Sequence, residues 1–182
     1  MNVCVTSISD CFVVELPAYL DERGSFVKSF HDRSFRQFGL ETNFPESFYT
    51  RSRQGVLRGF HFTTPPIDQV KLVTCLQGDL LDVVVDLRQG SPTFGRHVRF
   101  ELSADNPISL YIGRGLGHAF YVRSKESILL YQVSTMYNPS FDSGIRWDSV
   151  GVEWPTKNPI VSDRDKALPA FSNFSSPFEL ER

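Results

Sequence analysis

The residues able to do chemistry are few. In Arg58-Gly-Phe-His61-Phe62, strand alternation places Arg58, Phe60 and Phe62 on one face and His61 on the other, with Leu57 and Gly59. A histidine in that company is either a core group with satisfied nitrogens or a base facing a cavity. Lys71 sits inside the apolar run Val70–Leu76, where it either snorkels to solvent or stands in a ligand cavity as a fixed cation. Tyr131, in Leu129-Leu-Tyr-Gln-Val133, and Tyr137, six residues on, share a strand parity. Buried tyrosines are by default core residues with a bonded hydroxyl. His118 follows a glycine-rich turn and could contact a metal, a phosphate or a sugar, or only close the turn.

A mononuclear metal site on strands needs closely spaced histidines and a carboxylate. His31, His61, His97 and His118 are scattered without an HxH pair, so no metal is expected. No nucleophile elbow, P-loop or dinucleotide fingerprint is present either.

The elements that must position these groups read as strands. Phe12–Leu16, Ser25–Phe30, Val70–Leu76, Leu80–Leu87, Val98–Leu102, Ile108–Ile112, His118–Val122 and Ile128–Val133 carry β-type apolar patterns. Turn residues separate them at Gln77-Gly-Asp79, Gln89-Gly-Ser-Pro92 and Gly113–Gly117. Sixteen Phe beside two Met, with 12 Gly and 11 Pro, fit the same reading. One helix is expected, with Asp32 as N-cap, Phe35 and Phe38 on one side and Gly39 as the stop. The Ser/Phe-rich tail after Pro169 either packs over the body or frays. The expectation is one all-β domain spanning 1–182, a sandwich or jelly roll.

Composition narrows the function. At 182 residues, 41% hydrophobic and 22% charged, the chain can bury its own core. Nineteen Lys and Arg against 21 Asp and Glu give a net charge of −2, without the basic stripe a nucleic-acid partner requires. Cys4, Cys11 and Cys75 form no CxxC pair, which argues against a disulfide scaffold or a structural zinc. No apolar run approaches a membrane span, and the first residues do not read as a secretory signal. A cytoplasmic location is expected.

Taken in order, the chain resembles the dTDP-4-dehydrorhamnose 3,5-epimerase family. The resemblance rests on Asp21-Glu-Arg-Gly-Ser-Phe26, Gly55-Val-Leu-Arg-Gly-Phe-His-Phe62, Gln69-Val-Lys-Leu-Val73 and Asp82-Val-Val-Val-Asp-Leu-Arg88. It continues through Ser91-Pro-Thr-Phe-Gly95, Leu102-Ser-Ala-Asp-Asn106, Gly117-His-Ala-Phe120, Tyr131, Tyr137, Ile145-Arg-Trp147, Trp154-Pro155 and Ser162-Asp-Arg-Asp165. It implies a cupin-type jelly roll (a double-stranded β-helix) with few short helices, acting without a cofactor. It also implies a homodimer whose N-terminal strands are exchanged with the partner, and an epimerase inverting C3, C5 or both of a nucleotide-linked 4-keto-6-deoxy sugar. The biological setting it implies is deoxysugar supply for surface polysaccharide such as the lipopolysaccharide O-antigen. By resemblance His61 is the general base, Asp165 its paired carboxylate, Tyr131 the opposing acid and Lys71 a cation for the enolate. Arg58, His118, Asp142 and Arg164 match substrate contacts, and Arg23 and position 28 match nucleotide contacts.

The departures are local. Glu46-Ser-Phe48-Tyr-Thr50 stands where the family usually shows Gln-x-Asn-x-Ser, and Lys28 where it shows Glu. Glu46, Phe48 and Lys28 therefore join the expected substrate-binding set beside the matching Tyr137, and these departures suggest a CDP- or GDP-linked sugar. A single-centre epimerase, a ketoisomerase and a non-catalytic nucleotide-sugar-binding cupin stand as alternatives.

Overall fold

The computed structural model describes residues 1–180 as two facing antiparallel sheets. Thirteen strands form in chain order. They are β1 (Asn2–Val5), β2 (Cys11–Glu15), β3 (Ala18–Asp21), β4 (Gly24–Val27), β5 (Glu46–Arg53), β6 (Leu57–Thr63) and β7 (Lys71–Gln77). Then come β8 (Asp79–Asp86), β9 (His97–Ser103), β10 (Ile108–Ile112), β11 (Leu116–Val122), β12 (Glu126–Val133) and β13 (Asp142–Gly144). One sheet has the order β1-β2-β10-β7-β12-β5, the other β13-β6-β11-β8-β9, and β3 with β4 makes a separate hairpin. The all-β, jelly-roll expectation holds.

Alternation along the strands decides what each sheet buries. In β8 the side chains of Leu80 and Val84 join the core between the sheets, while those of Leu81, Val83 and Val85 pack beneath the C-terminal segment. Burial on both faces explains a continuous apolar run instead of an alternating one. In β12, Ser127, Leu129, Tyr131 and Val133 are buried and the intervening residues are half-buried. The tail packs: Phe174 and Phe178 lie 5.2 and 5.5 Å from Phe62, ring centre to ring centre, covering the outer face of β6.

The helices differ from the sequence reading in two details. The helix α1 (Asp32–Gln37) is capped by His31, whose Nδ1 accepts from the Ser34 amide, so Asp32 lies in the first turn. There its charge still favours the helix dipole. A second helix, α2 (Asp163–Ala167), is capped by Ser162 Oγ accepting from the Asp165 amide. At five residues α2 has no room for the apolar periodicity that announces a helix.

The ladder between β6 and β11 pairs His61 with His118 and Arg58 with Phe120, so three steps along β6 match two along β11. This bulge reverses the side-chain parity between Arg58 and His61. Gly59 sits inside it at φ +119°, and a Cβ there would stand 2.5 Å from both Ala119 Cβ and the His118 carbonyl oxygen. Gly59→Ala is therefore expected to cost on the order of 2–3 kcal/mol. Urea unfolding checks this; an unchanged midpoint would show that the bulge tolerates a side chain.

Candidate active site

A cavity of about 380 Å³ opens between the two sheets. One wall comes from β5, β7 and β12, which contribute Glu46, Phe48, Thr50, Lys71, Tyr131 and Val133. The facing wall comes from β6, β11 and β13, with Arg58, His61, His118 and Asp142. Tyr137 and Arg164 close the rim. Ten of the expected residues thus line one cavity, and Asp165 stands immediately behind His61. The alternation argument that separated Arg58 from His61 fails because of the bulge, and both face the cavity.

His61 Nε2 lies 2.7 Å from Asp165 Oδ1, while Asp165 Oδ2 accepts from the Gly59 amide at 3.2 Å. The carboxylate is buried, and burial alone would raise its pKa. The hydrogen bond from His61 and that ring's charge outweigh this and hold it below the usual range. An ionised Asp165 assigns the imidazole proton to Nε2, which leaves the Nδ1 lone pair as the basic position. Arg164 stands beside the pair, with Nη1 3.3 Å from His61 Nε2 and Nη2 2.8 Å from Asp142 Oδ2. The Arg164–Asp142 bridge fixes a cation at the rim.

A second imidazole–carboxylate pair lies on the same wall. His118 Nε2 is 2.7 Å from Asp82 Oδ2, and Asp82 is fully buried. Sequence reasoning did not single out Asp82. Its signal was there, a carboxylate in β8 on the same parity as the core residues Leu80 and Val84.

Lys71 resolves toward the cavity, not toward solvent. It shares the inward parity of Val73 and Cys75, is only 8% exposed, and donates from Nζ to the His61 carbonyl at 3.1 Å. Burial lowers its pKa to about 8, with Asp142 opposing the shift and Arg164 adding to it. Tyr131 is displaced in the other direction. Burial, then the Asp82 charge, raises its phenol well above the ordinary value, so the hydroxyl keeps its proton. A neutral acid on one wall therefore faces an imidazole lone pair on the other, with an ammonium group and a second imidazole alongside.

Arg23 and Lys28 are not part of this constellation. Arg23 lies on the turn of the β3–β4 hairpin, ion-paired with Asp21 at 2.5 Å, and Lys28 follows β4, exposed. The hairpin pairs with neither sheet, so a sequence match could not place these two in the chain's own cavity. The cavity also takes in Thr50, Thr63 and Gln69, which were not among the expected site residues. Among the described residues no group of three or more His, Cys, Asp or Glu side chains is placed to hold a metal ion.

The sign of the Lys71 shift gives a stability test. Below pH 8 the folded state carries a buried charge at full cost. Between about 8 and 10.5 the unfolded chain holds a proton that the folded one has lost, so stability rises with pH. Lys71→Met should raise the thermal midpoint at pH 7 by several degrees, each kcal/mol being worth roughly 2–4 °C at this chain length. The gain should shrink toward pH 10. A variant no more stable than the parent at pH 7 would contradict a costly buried ammonium.

Comparison with known proteins shows the family of the chain. A sequence model of the dTDP-4-dehydrorhamnose 3,5-epimerase family matches residues 5–173. The chain is similar to the dTDP-4-dehydrorhamnose 3,5-epimerase of Shigella flexneri, at 40% identity over 91% of this chain and 93% of that one. In structure it is similar to the dTDP-6-deoxy-D-glucose-3,5-epimerase of Legionella pneumophila, solved in complex with dTDP-4-keto-L-rhamnose. That match has a TM-score of 0.94 and 32% identity over 100% of this chain and 99% of that one. It is also similar to a 3'-monoepimerase of Streptomyces bikiniensis solved with dTDP-quinovose, with a TM-score of 0.88 and 35% identity over 93% and 87% of the two chains. The chain belongs to the dTDP-4-dehydrorhamnose 3,5-epimerase family.

Proposed function

We propose that the protein inverts C3, C5 or both of a dTDP-linked 4-keto-6-deoxyhexose, using only its own side chains. The observation that carries this reading is the His61–Asp165 pair, 2.7 Å apart, facing the protonated Tyr131 from the opposite sheet. A 4-keto sugar has acidic protons at C3 and C5, each next to the carbonyl. His61 Nδ1 removes one, and Asp165 stabilises the imidazolium that forms. The electrons move into the carbonyl to give an enolate, whose oxygen the buried Lys71 and His118 stabilise. Tyr131 then returns a proton to the other face of the carbon, which inverts it.

Arg58 and Arg164 supply positive charge for the diphosphate. Glu46, Phe48, Tyr137 and Asp142 line the sugar and nucleotide path. The relatives described above carry dTDP in their names or complexes, which favours thymidine over the CDP or GDP reading suggested by Lys28. Arg23 and Lys28 complete a neighbouring site in this reading. The β3–β4 hairpin exposes Tyr19, Leu20 and Phe26, an apolar surface suited to burial against a second copy. We accordingly infer a homodimer with exchanged hairpins. Three free thiols fit a reducing, cytoplasmic setting.

His61→Asn should lower solvent-deuterium incorporation into dTDP-4-keto-6-deoxyglucose by at least ~10²-fold, the usual contribution of a general base. Tyr131→Phe should spare incorporation and impair inversion. NMR of the sugar in D₂O reports both, and normal incorporation in the His61 variant would remove the base assignment.

A further inference from the structure

The strand β5 forms the edge of its sheet and pairs only with β12. Its alternation sends Glu46, Phe48 and Thr50 into the cavity together. Phe48 is the direct cross-strand partner of Tyr131, and the two rings stack at 4.9 Å with planes 10° apart. Another neighbour, His118, meets the Tyr131 ring edge-on at 5.9 Å. Two residues from Phe48, the buried Thr50 hydroxyl lies beside the phenol and opposes its pKa rise. The flat stack with Phe48 is the broadest contact on the Tyr131 ring face, with His118 against its edge.

Phe48 is itself 42% exposed, too open for a residue whose only task is filling the core. On the proposed epimerase reading, we infer that Phe48 is a positioning residue, whose stack holds the Tyr131 ring in the plane from which its hydroxyl reaches the sugar carbon. It need not touch the reacting atoms to do this. Losing the stack leaves proton removal by His61 in place and frees the acceptor face of the carbon from a fixed donor. More of the enolates then collapse back to starting material before they are inverted.

The measurable quantity is inversion per solvent deuteron incorporated, taken separately at C3 and C5 of dTDP-4-keto-6-deoxyglucose in D₂O. Phe48→Leu keeps apolar bulk without an aromatic face, and Phe48→Tyr keeps the ring. The Leu variant should lower this ratio by roughly threefold to tenfold, the range expected for loss of one aromatic pair, and the Tyr variant should match the parent. A Leu variant with the parental ratio, or a Tyr variant that falls as far as Leu, overturns the inference. A residue that only binds substrate would instead raise KM at an unchanged ratio. If the parent itself incorporates no deuterium, the epimerase reading fails along with it.

Discussion

Placing ionisable groups on the faces that two sheets must bury is the constraint from which the rest of this structure follows. His61, Lys71, His118 and Tyr131 project inward on the same parity that elsewhere supplies Val73, Leu80, Val84 and Leu129 to the core. A charge in that position is costly unless it is paired, and every group answers the cost differently. The two histidines hold carboxylates at 2.7 Å, the lysine leans on a backbone carbonyl and loses part of its proton affinity, and the tyrosine stays neutral. These are the states that proton transfer needs: a free imidazole lone pair, an available phenolic proton and a nearby cation. The cavity is thus the part of the core in which stability was exchanged for reactivity.

The bulge in β6 shows how local backbone geometry serves that arrangement. Without it, Arg58 would project on the opposite face from His61 and could not reach a substrate bound against the imidazole. Gly59 allows the close approach of β11, and its amide also steadies Asp165. On the same wall, Ser162 caps the short helix that delivers Arg164 to the rim and Asp165 to the imidazole. A single turn of chain therefore places both the rim cation and the carboxylate that orients His61.

Much of this could be read from residue order. The apolar runs of β7, β8 and β12 and the turns between them fixed the all-β class, and Lys71 stood out inside an apolar run, though residue order left open whether it snorkels or faces a cavity. The misses have physical causes. β5, Glu-Ser-Phe-Tyr-Thr-Arg-Ser-Arg, is an edge strand with solvent beside it, so it lacks the apolar pattern of a central one. A bulge leaves no periodic trace beyond a glycine, and a five-residue helix leaves none. His31 displaced Asp32 as the cap because its ring nitrogen reaches the Ser34 amide. The roles of Asp165 and Arg164 came from resemblance; nothing in spacing places residue 165 next to residue 61. Resemblance also grouped Arg23 and Lys28 with residues from which the chain's own fold separates them.

The central claim is that base and acid act from opposite walls of one cavity, and isotope bookkeeping over a single turnover tests it most directly. With enzyme in excess over unlabelled dTDP-4-keto-6-deoxyglucose in D₂O, the product is quenched and its deuterium content measured at each inverted carbon. A proton taken by His61 and another delivered by Tyr131 from the far wall predict one solvent deuteron at every inverted centre. Inverted product that retains the substrate's own hydrogen would mean that one group removes and returns the same proton, which contradicts the account.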